Sequence, residues 1–112
     1  MQVTEPPKLF GTRRRTQTLE LIHLLQETHA SELARLLETP LKTVQRILAS
    51  LEDEQLIVGR TVGRERRIRL NERYFAASEL KALLSSLARR DKETEAAAES
   101  LRRRPRKPGK EI

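Results

Sequence analysis

Residues Ser31–Leu51 read SELARLLETPLKTVQRILASL, a pattern of two short helices joined by a tight turn. Leu33, Ala34, Leu36 and Leu37 crowd one side of the first helix, expected over Ser31–Glu38. In the second, expected to start at Pro40 or Leu41, Val44, Ile47, Leu48 and Leu51 recur at i, i+3, i+4 and i+7, so they share one stripe. The other face carries Leu41, Lys42, Thr43, Gln45, Arg46 and Ser50, with no acid before Glu52. Lys and Arg for phosphates, with Arg, Gln and Thr for base edges, form a side-chain set suited to a DNA groove. The stretch predicts a helix-turn-helix.

Local chemistry specifies the turn. Pro40 lacks an N–H and clashes with a preceding helical turn, so it cannot continue the first helix. It also pushes Thr39 toward extended geometry. Thr39 is therefore the expected N-cap, with Pro40 at the first helical position. The polar run Glu52-Asp53-Glu54-Gln55 marks the exit.

On the C-terminal side, Leu56–Val62 is rich in branched residues, Gly63-Arg64 makes a turn, and Arg66–Leu70 returns. Gly first in a two-residue loop suits a type II′ hairpin, which would oppose Ile57 to Leu70 and Gly59 to Ile68. The hairpin carries Arg60, Arg64, Arg66, Arg67 and Arg69 against Glu65. After three helices, such a hairpin is expected to act as a wing, with Arg64 and Arg66 near a minor groove or the DNA backbone. The alternative is an edge charged only to prevent strand pairing.

Upstream, Thr12 is a plausible N-cap for a helix to about Thr28, with Leu19, Ile22 and Leu25 flanked by Leu21 and Leu24. Arg13, Arg14 and Arg15 occupy its first turn, where the helix dipole disfavours cations. They are either a solvated end or placed for a phosphate or an acidic partner. Residues 1–8, MQVTEPPK, read as a disordered arm.

Downstream, Tyr74 and Phe75 precede a long helical signal from Ala77 toward Arg103. Leu80, Leu84, Leu87, Asp91, Thr94, Ala98 and Leu101 follow 4,3,4,3 spacing, although the middle of that seam is polar. A continuous helix of about 25 residues would reach roughly 38 Å. That exceeds what a domain this small can cover, so a homodimer through Leu80, Leu83, Leu84 and Leu87 is expected. The alternative is a helix that docks on its own domain and frays after Arg90. Arg102–Lys110, RRRPRKPGK, is broken by Pro and Gly and repels itself, so residues 104–112 read as a basic disordered tail.

The whole chain has 112 residues, 37% hydrophobic and 35% charged, which suits one small domain, expected over residues 9–76 with the C-terminal helix appended. Of the net charge of +7, the tail from Arg102 supplies +5, so the body is judged by local clustering. Aromatics at 3% count against base-stacking sheets for single strands. With no Cys there are no disulfides or thiolate metal sites. No run approaches the ~18 apolar residues of a membrane span, and the N-terminus has no apolar signal core. A cytoplasmic, nucleoid-associated protein with no membrane association is expected.

SELARLL, KTVQRILASLEDEQLI and the VGRERRIRLN hairpin together resemble the small winged-helix transcriptional regulators of the ArsR/MarR-like superfamily. The resemblance covers about Leu9–Arg90. It implies a mainly α fold with a small β-hairpin, Leu41–Leu51 as recognition helix and the helix beyond Ala77 as dimerisation element. Such motifs usually place Gly where this chain has Glu38. A Glu in left-handed geometry costs about 1–2 kcal/mol, so a different turn, for instance one with an extra residue of helix, is expected. Metal-sensing members use cysteines or clustered His and acids. Here His23 and His29 are six residues apart, off a shared helical face, and no metal or cofactor is expected.

The expected activity is that of a repressor-type regulator binding an inverted-repeat operator as a homodimer, through Leu41, Lys42, Thr43, Gln45, Arg46 and Ser50, with Arg60, Arg64, Arg66 and Arg67 from the wing. The alternative is an adaptor whose basic faces meet an acidic protein partner; it is disfavoured because only Leu41 offers an apolar anchor on that helix. An enzyme is not expected. There is no Cys nucleophile, neither His has a partner at motif spacing, and Gly11, Gly59, Gly63 and Gly109 are scattered.

Overall fold

A computed structural model describes residues 10–102; Leu9, Arg103, the expected arm and the expected basic tail lie outside the described residues. Among the described residues are five helices and one antiparallel hairpin, in the order α1 (Arg13–Leu25), α2 (Ala30–Leu37), α3 (Leu41–Asp53), β1 (Ile57–Val62), β2 (Glu65–Leu70), α4 (Ala77–Arg90) and α5 (Lys92–Arg102). The fold is mainly α with a small β-hairpin, as expected.

The core is built around α1. Thr16 through Ile22 are all buried, because α2, α4, α5 and β2 surround the helix. Its buried hydroxyls are satisfied locally: Thr16 Oγ1 donates to Thr12 O at 3.0 Å and Thr18 Oγ1 to Arg14 O at 2.7 Å. Thr12 caps the N-terminus, accepting from the Arg15 N–H at 3.1 Å. The helix stops at Leu25, short of the expected Thr28. Gln26 turns to a φ of 73°, and Thr28 joins the sheet edge by exchanging two backbone hydrogen bonds with Ile68, at 3.0 and 2.8 Å.

Leu33 and Leu37 of α2 and Val44, Leu48 and Leu51 of α3 face this core. The turn between them differs from expectation in two ways. Pro40, extended at φ −56° and ψ 141°, is the N-cap, and α3 begins at Leu41; Thr39 instead donates its hydroxyl to Leu37 O at 2.9 Å. Glu38 does adopt left-handed geometry, at φ 50° and ψ 48°. Bonds from Glu38 N to Arg35 O and from Thr39 N to Ala34 O close the helix there, so no extra helical residue is needed. Helix α3 ends by the same device, with Gln55 at φ 65° and Leu56 N donating to Leu51 O.

The hairpin has the expected register, with Ile57 opposite Leu70 and Gly59 opposite Ile68. Gly63 supplies the positive φ, 66°, in the two-residue turn. Ile57, Ile68 and Leu70 at its base enter the core, while the tip is exposed.

The expected single helix from Ala77 is two. Asp91 turns extended between α4 and α5, and its Oδ1 accepts from the Glu93 and Thr94 N–H groups at 3.1 and 3.3 Å, capping α5. After this elbow α5 packs on α1, α2 and α4, burying Thr94, Ala97 and Ala98. The leucine seam is therefore largely internal. Leu80 and Leu84 are buried in the chain's own core, Leu87 packs against it, and Leu83 remains exposed.

Candidate nucleic-acid interface

The α3 stripe turned into the core sends the opposite face outward: Leu41, Lys42, Gln45 and Arg46 are exposed and Thr43 is half-buried. Lys42, Gln45 and Arg46 have no side-chain hydrogen bond or ion pair among the described residues. Ser50, expected on the same reading face, is instead occupied. It accepts from Arg15 Nη1 at 2.5 Å, and Arg15 also pairs with Glu54 at 2.9 Å, so the end of α3 is tied to the start of α1.

The hairpin tip stands beside the start of α3. Leu41 and Gln45 line one open cleft of about 500 Å³ together with Arg64, Glu65 and Arg66 of the hairpin and His29, Ala30 and Ser31 at the start of α2. Four residues singled out from the sequence thus meet at one site. Sequence reasoning missed His29 and Ser31. Their signal was the α2 start itself, where His29 Nδ1 caps the Glu32 N–H at 3.4 Å and His29 Nε2 reaches Glu65 at 3.3 Å.

Most of the hairpin arginines are paired within the chain. Arg66 crosses the sheet face over Gly59, where any Cβ would lie 2.8 Å from its guanidinium, and donates to Glu52 of α3. Arg67 bonds Glu27 and Glu65, each at 2.9 Å, and Arg60 lies 3.6 Å from Glu27. The Arg67 hydrogen bond, with the charges of Arg60, Arg67 and Arg69, holds the Glu27 carboxyl below its ordinary range. Glu65 and then Glu27 hold the Arg67 guanidinium more firmly charged. Arg64, at the turn, has no such partner among the described residues.

The Arg13–Arg15 run meets acids of its own chain. Arg13 and Arg14 both reach Glu93 of α5, the latter at 2.8 Å, and Arg14 with Gln17 draws the Glu93 carboxyl below its ordinary range. His23 contacts Ser85 Oγ at 2.8 Å, and burial lowers its affinity for a proton, helped by Lys81. Among the described residues no group of three or more His, Cys, Asp or Glu is placed to hold a metal ion, and no helix is long and apolar enough to cross a membrane.

Comparison with family models, curated proteins and solved structures returned no match.

Proposed function

We propose that this chain is a winged helix-turn-helix protein that binds double-stranded DNA with sequence preference and regulates transcription as a repressor. In this reading α3 enters the major groove, and the β1–β2 tip touches the backbone or minor groove beside it. The observation that carries it is the shared cleft, where Leu41 and Gln45 of α3 face Arg64 and Arg66 of the hairpin. The acid-free, unpaired run Lys42, Gln45 and Arg46 supports it further. Thr43 lies beside these, whereas Ser50 is left to hold Arg15. Arg60 and Arg67 belong to the contact surface only if a phosphate displaces Glu27 and Glu65.

Two protomers on an inverted repeat, with half-sites about 34–36 Å apart, remain part of the proposal. Because Leu80 and Leu84 are in the protomer's own core, such a pair would use a surface other than the leucine seam.

The test is selection from a random duplex pool followed by affinity measurement. An enriched inverted repeat is expected. Arg46→Ala or Gln45→Ala should cost ~1–3 kcal/mol and relax one position of the site, whereas Arg64→Ala should weaken all sequences alike. Retention without enrichment, or affinity unmoved by these changes, would reject the reading. A second reading, an adaptor for a protein partner, is favoured by Phe75, which is 90% exposed beside Tyr74 at a centroid distance of 4.9 Å. It predicts loss of a partner, and no loss of DNA, on Phe75→Ala.

A further inference from the structure

The joint between α1 and the α4–α5 elbow holds polar groups that packing alone does not explain. Gln17 of α1 donates to Asp91 Oδ2 at 3.0 Å, and one turn later Glu20 presents its carboxylate to the same elbow. Glu20 is fully buried, yet among the described residues neither carboxylate oxygen has a hydrogen-bond partner, and the buried Thr94 hydroxyl of α5 also has none. Asp91, 1% exposed, commits both oxygens to Gln17 and to the α5 cap. Among the described residues no cation compensates Glu20. Arg13 and Arg14 of α1 go to Glu93 of α5, His23 of α1 goes to Ser85 of α4 with Lys81 beside it, Glu32 of α2 meets Thr28, and Arg67 of β2 meets Glu27. An unpaired buried carboxylate next to a second buried carboxylate is strongly disfavoured in its charged form.

We propose that the elbow is a proton-operated latch: Glu20 must be neutral for α5 to seat on α1, and its ionisation lets α5 lift away. The ionised carboxyl sets a second carboxylate charge beside Asp91 in one dry joint, whereas the neutral one does not. Burial raises the Glu20 carboxyl to about 7, with the Thr94 hydroxyl opposing the rise and Asp91 adding to it, so the latch operates near neutral pH. Because α5 also packs on α2, its release would loosen the support of the α2–α3 pair. This inference stands independently of any DNA reading.

The test is amide hydrogen exchange of the full chain between pH 6 and 8, corrected for the intrinsic pH dependence. Protection at Ala97 and Ala98 of α5 is expected to fall about tenfold, while Ile57 and Ile68 of the hairpin hold. Glu20→Gln should abolish the fall, and His23→Gln should keep it. A wild-type chain whose α5 protection ignores pH overturns the latch without any variant. So does a fall that survives Glu20→Gln, or one that His23→Gln removes. Recovery of protection at pH 8 on adding K⁺ or Mg²⁺ at constant ionic strength would also overturn it, by assigning the joint to a cation.

Discussion

The Gln17 amide nitrogen lies 3.0 Å from Asp91 Oδ2, joining side chains 74 positions apart in a buried contact. The same carboxylate starts α5, so one residue both breaks the C-terminal helix and fastens the break to α1. Asp91→Ala removes the cap and one of the two acceptors of the buried Gln17 amide, which keeps Glu93 Oε1 at 3.1 Å. A loss of about 2–4 kcal/mol is expected from the two effects. Asp91→Asn, which keeps an acceptor for the α5 N–H groups, should lose less. Urea unfolding of the two variants at one pH checks the order.

Stability should fall with rising pH in the range where Glu20 binds a proton only when folded. Its carboxyl is near 7 in the folded chain against an ordinary 4.5, so between those values the unfolded chain holds fewer protons. The decline is at most ~1.4 kcal/mol per pH unit and levels off above the folded value. Glu93 acts in the opposite sense, being held below its ordinary range, so its contribution is present above that range and lost as pH falls through it. Urea midpoints at pH 5 and pH 8 should therefore differ in the wild type and draw together in Glu20→Gln.

Adjacent leucines of α4 should behave oppositely. Leu84 is fully buried, and Leu84→Ala is expected to cost about 2–5 kcal/mol through the cavity it leaves. Leu83 is 37% exposed, and Leu83→Ala should stay within about 0.5 kcal/mol of the wild type. Sedimentation of Leu83→Ala across protein concentration would report whether that exposed edge joins two protomers.

If the proposed DNA binding holds, its salt dependence distinguishes the cations without a partner among the described residues from the paired ones. Lys42, Arg46 and Arg64 alone would give a log–log slope near −3 per protomer, at ~0.9 per phosphate neutralised. Recruitment of Arg60, Arg66 and Arg67 from Glu27, Glu52 and Glu65 would steepen it to about −5. Glu52→Gln should strengthen binding only in the second case.

The parts legible in the sequence were those governed by neighbours. Val44, Ile47, Leu48 and Leu51 fixed the buried side of α3 by spacing alone, and Gly63 with the facing apolar residues fixed the hairpin register. The elbow carried a local signal that the leucine spacing obscured: Arg89-Arg90 suit a helix end, and Asp91, Glu93 and Glu95 suit a helix start. The acid partners of Arg66 and Arg67 were illegible because Glu52 and Glu27 approach only through tertiary packing. The central place of α1 was only half legible: Leu19 and Ile22 with Leu21 marked an apolar side, whereas Gln17 and Glu20 gave no sign that they too are buried.

The backbone exchange between Thr28 and Ile68 clamps the hairpin at its base, and among the described residues no backbone bond from the body reaches it beyond that point. Three residue pairs, from Arg60–Arg67 to Val62–Glu65, overhang that clamp, about 10 Å at ~3.3 Å per residue. Side chains tie this overhang to the body, Arg60 and Arg67 through Glu27, Arg66 through Glu52 and Glu65 through His29, which leaves Arg64 in the turn beyond the last tie among the described residues. The tip is thus held by charge where the root is held by backbone, so added salt would loosen the overhang and leave its root in place.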